Sequence, residues 1–163
     1  MAMTYTPVGD LRSNDKIVRC PQNPILSAKD VPYDASLIFN AGVAKYQGRY
    51  VMVFRNDYGQ RPNSVHPAAT NMGLAYSDDG VHWQVQPKPC FDLHNQEISR
   101  GYDPRLTVID GKCYVCFAID TRHGICGGIA VTEDFDHFDI LCTTAPDNRN
   151  MVLFPERCQG RYV

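Results

Sequence analysis

The chain has 163 residues, 44% of them hydrophobic, with sixteen Lys and Arg against eighteen Asp and Glu, which suffices for one soluble domain and hardly for two. A formal net charge of −2 supplies no bulk attraction for nucleic acid or an anionic membrane, and no apolar run approaches the ~20 residues of a membrane helix. Seven cysteines are an odd number, and residues 1–7 hold neither a basic nor an apolar signal region, so reduced thiols in a cytoplasmic protein are expected, not a disulfide scaffold.

In chain order, the clean apolar runs are residues 50–54, 73–76, 106–109, 113–118 and 128–131. Each is short, rich in β-branched and aromatic residues, and bounded by turn pairs such as Gln47-Gly48, Asp79-Gly80 and Asp110-Gly111. Such pairs suit tight hairpins, because the glycine accepts positive φ. Eleven prolines and twelve glycines interrupt any helical period, and the pattern predicts an all-β chain.

The sequence also repeats. Residues 40–51 match residues 103–114, each with a polar residue eight positions before the hairpin glycine, then a basic residue and an apolar strand. Residues 73–79, followed by His82-Trp83, echo residues 128–134, followed by His137-Phe138, and a third copy opens at residues 154–163. The offset is 63 residues between Asn40 and Asp103 and 55 between Gly73 and Gly128. A unit of that length built of about four short strands is a β-propeller blade. The expected blades are residues 30–90 and 91–145, with a third beginning at 146–163. Rings close with about 4–8 blades, so two and a half blades predict a truncated, N-terminal portion of one longer propeller domain, or a chain completed by a partner. Exposed blade faces would then favour homo-oligomers.

Polar residues at the starts of inner strands converge on the channel of a propeller. Here those positions hold Asn40, Asp103 and, across a shorter loop, Glu156. Arg55 and Asp57 follow the second strand of the first blade, Arg105 follows Asp103, and Arg149 and Asn150 precede the third copy. Carboxylates, amides and guanidinium groups together fit a polyhydroxylated, anionic ligand. Blade-to-blade hydrogen bonding at buried strand ends is the alternative for any one of them.

Residues 39–43, 50–55, 73–80, 102–105 and 148–157, occurring in this order, closely resemble glycoside hydrolase family 130, the β-mannoside phosphorylases and related mannosidases. Asn23-Pro24-Ile25-Leu26 fits the same family's opening segment. The resemblance implies a five-bladed propeller and inverting phosphorolysis of β-1,4-mannosyl bonds to α-mannose 1-phosphate. Asp103 matches the catalytic general acid, which in this family is thought to relay its proton through a sugar hydroxyl. An inverting glycosidase needs an acid and a base-activated water. Phosphate is already a nucleophilic anion, so a phosphorylase needs one acid and a cationic cradle. Asp103 would have to be protonated at working pH, which burial or neighbouring carboxylates favour and Arg105 opposes unless it is engaged elsewhere. Arg149 matches a phosphate-binding arginine, and Asn40 and Arg55 match positions that hold the mannosyl unit. Asp57 is a further candidate for sugar hydroxyls, Tyr102 for stacking on or hydrogen bonding to a ring, and Asn150 for phosphate or the acceptor. The implied partners are a β-mannosyl oligosaccharide and inorganic phosphate as co-substrate, with no cofactor and no metal. The rest of the cradle belongs to the family's C-terminal half, so little activity is expected of these 163 residues alone.

Other features carry less chemistry. Cys113 and Cys116 point to opposite faces if they lie on one strand, and no second pair has ligand spacing. Residues 77–83 resemble the Asp-box turn of sialidase propellers with the glycine one residue early, which reads as a structural turn with Trp83 packed between blades. Residues 120–124 read as a solvated turn or a rim of the funnel, and residues 60–71 as a long loop that walls the acceptor subsite or is merely exposed. Neither a nucleotide-binding glycine loop nor a serine nucleophile elbow occurs. Two alternatives stay open, a hydrolytic β-mannosidase of the same family and a non-catalytic carbohydrate-binding propeller. The acceptor (glucose, mannose or N-acetylglucosamine) is not encoded in any one motif.

Overall fold

The computed structural model describes Lys16, residues 18–60 and residues 67–163. The reading of residues 1–7 therefore lies outside the described residues. After a 3-10 turn at Ala28–Asp30 come strands β1 (Leu37–Tyr46), β2 (Arg49–Gln60), β3 (Pro67–Ser77) and β4 (Gln84–Val85), then β5 (Ile98–Ile109), β6 (Lys112–Thr121), β7 (Gly124–Thr132) and β8 (Asp139–Thr143). They form two four-stranded antiparallel sheets, ordered β1-β2-β3-β4 and β5-β6-β7-β8. Each sheet is one up-and-down blade with β1 or β5 as its first strand.

All five apolar runs lie inside strands, which extend beyond them. Arg55 and Asp57 belong to β2 itself instead of following it. Likewise the stretch read as a long loop is partly strand: Pro67 pairs with Gln60, Thr70 with Asp57 and Asn71 with Asn56, while residues 61–66 lie outside the described residues. The hairpin turns repeat as the sequence does. Gln47-Gly48, Asp110-Gly111 and Gln159-Gly160 all have positive φ at both residues, from 49° to 86°, the geometry that tight hairpins select. In the third copy that turn carries only a single bridge, Cys158 to Arg161.

Alternation along β2 and β6 builds three apolar layers. Val51 and Val53 face Cys113, Val115 and Phe117 in the core between the two sheets, with Met72, Phe91 and Phe135. Met52 and Phe54 point the other way, under Leu26, Val31 and Tyr33 from the segment before β1. Tyr114 and Cys116 face Met151 and Leu153 from the third copy. Cys113 and Cys116 therefore do lie on opposite faces, and all seven cysteines are free. Trp83 does not enter the core between the two sheets. It packs in the layer with Met52 and Phe54, on the face of the first sheet turned away from the second, with its Nε1 donating to the Gly80 carbonyl.

One irregularity matters for chemistry. In β1 the register slips between Phe39 and Gly42, and in β5 between Tyr102 and Arg105. Each is a bulge with one extra residue, and each holds its polar residue in the left-handed region, Asn40 at φ 49° and Asp103 at φ 56°. Asn and Asp tolerate that region better than other side chains with a Cβ, and bulges re-aim side chains beside functional sites.

Candidate active site

The two bulges lie next to each other because β1 and β5 approach closely. A Cβ on Gly42 would stand 2.9 Å from both the Pro104 carbonyl oxygen and the Leu106 nitrogen. Across that contact Asn40 Nδ2 donates to Asp103 Oδ1 at 2.9 Å. Arg55 Nη1 donates to the same oxygen at 3.3 Å. Among the described residues Asp103 Oδ2 makes no hydrogen bond, since both contacts fall on Oδ1. Arg105 turns aside, donating to the backbone carbonyls of Asn40 and Pro104.

Arg55 and Asp57 lie two residues apart on one face of β2, and their side chains form a bidentate pair with both N–O distances 2.8 Å. Thr70, opposite Asp57 on β3, donates to Asp57 Oδ1 at 2.7 Å. The guanidinium also stands over the rings of Phe39, 4.5 Å from the centroid, and Tyr102, at 4.9 Å. Burial works against its charge, but hydrogen bonding to Asp57 and then the Asp103 contacts outweigh burial, and its pKa lies above the ordinary arginine value.

Tyr102 is only 2% exposed, so its ring has no open face for a sugar. Its hydroxyl donates to Asp120 Oδ1 at 2.7 Å, and Arg100 stands over its ring at 4.9 Å. Burial and then the Asp120 contact push the hydroxyl pKa up, while the positive charge of Arg149 pulls it down. Arg149 and Asn150 are exposed at the opening of the third segment. Asn150 repeats the left-handed conformation of Asn40 and Asp103, with φ 64°. Glu156 is exposed as well.

Beside this cluster is a cavity of about 480 Å³, lined by Arg55, Asp57 and residues 67–70 from the first sheet and by Ser99, Arg100 and Asp120 from the second. The sequence therefore locates Asn40, Arg55, Asp57, Tyr102 and Asp103 in one cluster with Arg149 at its edge, and it misses Arg100 and Thr70. Residues 120–124 divide. Asp120 faces the cavity, whereas Thr121–Gly124 close the β6–β7 turn, with Arg122 paired to Glu97 at the surface.

The two bulges set Asn40 and Asp103 beside a cleft that also holds the Asp57 and Asp120 carboxylates and the Arg55 and Arg100 guanidinium groups, donors and acceptors of the kind that suit a polyhydroxylated ligand. The chain belongs to glycoside hydrolase family 130, whose sequence profile, described as β-1,4-mannooligosaccharide phosphorylase, matches residues 16–162. It is 34% identical to the β-1,4-mannooligosaccharide phosphorylase of Ruminococcus albus, over 91% of this chain and 45% of that protein. It is 30% identical to the β-1,2-mannobiose phosphorylase of Listeria innocua, over 55% of this chain and 26% of that one. A structure of the Listeria innocua β-1,2-mannobiose phosphorylase in complex with β-1,2-mannobiose superposes with a TM-score of 0.75 at 20% identity, covering 88% of this chain and 56% of that one. This last is a likeness of fold. The chain spans about half the length, or less, of these relatives.

Proposed function

We propose that residues 1–163 are the N-terminal part of a catalytic propeller that cleaves β-1,4-mannosyl bonds with inorganic phosphate, inverting them to α-mannose 1-phosphate. The observation that carries this reading is Asp103 on its bulge, fixed through Oδ1 by Asn40 and Arg55 and open at Oδ2. Asp103 donates the proton, relayed by a sugar hydroxyl to the glycosidic oxygen. Phosphate attacks the anomeric carbon from the opposite face as that C–O bond breaks. One carboxylic acid suffices because the nucleophile arrives already anionic, unlike the water of a hydrolase. Asn40 and Arg55 hold the mannosyl unit, with Asp57 and Thr70 fixing the Arg55 fork. Arg149, not held by a carboxylate among the described residues, is the cation for phosphate, with Asn150 beside it. Tyr102 acts from beneath, as a positioning residue. No cofactor or metal enters the scheme.

The β-1,4 linkage is favoured by the more extensive match to the Ruminococcus albus protein; the β-1,2 relative marks the competing linkage. The test is incubation of the full-length protein with β-1,4-mannobiose, mannosyl-glucose and β-1,2-mannobiose, with and without phosphate. The expected product is mannose 1-phosphate from a β-1,4 substrate, only when phosphate is present. Asp103→Asn should cost about 10²–10⁴ in turnover, the usual contribution of a general acid, with saccharide binding kept. Arg149→Ala should chiefly raise the phosphate KM. Free mannose released without phosphate moves the protein to the hydrolases, and an active Asp103→Asn removes Asp103 as the acid.

A further inference from the structure

Asp57 and Asp120 are related by the same 63-residue offset as Asn40 and Asp103. Each faces a first-strand partner across its sheet, Leu37 for Asp57 and Arg100 for Asp120. In both blades the carboxylate clamps a guanidinium. Asp57 holds Arg55 from its own strand, and Asp120 holds Arg100 from the neighbouring one, with Nε 2.5 Å from Oδ2. The two arginines nevertheless differ in what they have left to offer. Arg55 directs all three nitrogens at Asp57 and Asp103, which leaves it one N–H on each terminal nitrogen. Arg100 spends only Nε, and among the described residues its two terminal nitrogens have no hydrogen-bond partner. Its side chain is 41% exposed, lines the 480 Å³ cavity, and is oriented by the Tyr102 ring beneath it.

The charge around the cavity discriminates between ligands. Its lining balances two carboxylates, Asp57 and Asp120, against two guanidinium groups, Arg55 and Arg100, so it holds no net positive charge for a phosphate and neutral hydroxyls are the groups that fit. Position then narrows the choice. Arg55 lines the cavity, whereas Asn40 and Asp103 do not, so the space begins beside the mannosyl-holding cluster and extends toward the second blade. The volume falls within the roughly 300–1,000 Å³ of small-molecule sites. We infer that Arg100, held by Asp120 and Tyr102, is a specificity-determining residue whose free guanidinium fork receives vicinal hydroxyls of the sugar on the acceptor side of the scissile bond. Asp120 is its positioning residue. This assignment rests on the function proposed above for its orientation along the substrate.

Isothermal titration of the full-length protein with β-1,4-mannobiose, and separately with inorganic phosphate, tests it. Arg100→Ala should weaken the disaccharide roughly tenfold, the usual loss for hydrogen bonds to a charged group, and leave phosphate binding unchanged. Arg100→Lys keeps the charge without the fork and should fall between. Asp120→Asn should weaken the disaccharide as well, although it retains the shape. Thermal melts of the variants confirm that each is folded, and Lys at position 100 leaves the ring covered should Ala not be. Wild-type affinity for the disaccharide in folded Arg100→Ala, or a loss confined to phosphate, overturns the assignment while phosphorolysis stands. A wild-type protein that binds mannobiose but forms no mannose 1-phosphate overturns phosphorolysis and leaves the Arg100 contact intact. A wild type that binds no disaccharide overturns both.

Discussion

Two exposed carboxylates at the outer turns are held far from their ordinary chemistry. Asp79 Oδ1 accepts the Val81 and His82 N–H groups, both at 2.8 Å, and Oδ2 lies 2.7 Å from His82 Nδ1. Asp134 repeats the pattern with Asp136, His137 and His137 Nδ1. Histidine contact, then backbone donors, hold both carboxyl groups well below the usual carboxylate range. The reciprocal effect at His137 is a raised pKa, chiefly from the Asp134 hydrogen bond and charge. The signs are opposite in pH. The Asp134 contribution is present above about pH 3.9 and is lost as pH falls through its depressed value, whereas the His137 contribution is full below about pH 6.5 and fades as pH rises through the folded value. The pair therefore stabilises the turn most between those limits, weakly and in a salt-dependent way because both groups are in solvent. NMR titration should find the His137 midpoint above about 6.5, and Asp134→Asn should bring it back toward that value. A wild-type midpoint at or below it contradicts the pairing.

At the scale of strands, the bulges in β1 and β5 decide where chemistry occurs, and Gly42 lets them meet. Alanine there would press its Cβ into the backbone of Pro104 to Leu106, which cannot retreat as a side chain can. Gly42→Ala should cost about 1–3 kcal/mol in stability, read by denaturant unfolding, and should lower turnover further than stability alone explains by parting Asn40 from Asp103. Unchanged stability would mean that the two inner strands are not in register-fixed contact. Asn40 and Asp103 were legible in the sequence because the repeat aligns them at the start of matching strands. Asp120 was legible as an equivalent of Asp57, but not its role, since that depends on which residue lies across the ladder. Arg100 carried no repeat signal at all, because the first blade places Leu37 there. Thr70 was hidden in a Pro- and Asn-rich stretch that reads as loop until pairing with β2 extends the hairpin. Strand β8 is exposed at all five positions and offers no apolar period to read.

Across the molecule, the principal core belongs to neither blade alone. Val51, Val53, Met72 and Leu74 of the first sheet share it with Val115, Phe117, Ile119 and Ala130 of the second, and alternation along β2 and β6 was enough to anticipate such a layer. The side that Trp83 covers was not, because a turn residue has no period to assign its face. Phe117 is a large ring within that shared layer. Its ring meets Phe91 edge-on with centroids 5.2 Å apart and overlies Gly128, whose hypothetical Cβ would be 2.3 Å from that ring. Phe117→Ala leaves a cavity in this shared layer and should cost about 3–5 kcal/mol. Trp83, the sole tryptophan, lies in the layer beyond the first sheet, so its fluorescence reports on the blade that does not contain the substitution. If one shared core holds both sheets, the fluorescence and circular dichroism midpoints in denaturant should fall together in Phe117→Ala. A Trp83 transition that stays at its wild-type midpoint while the dichroism shifts would mean that the blades unfold separately and that the interblade layer contributes shape more than stability.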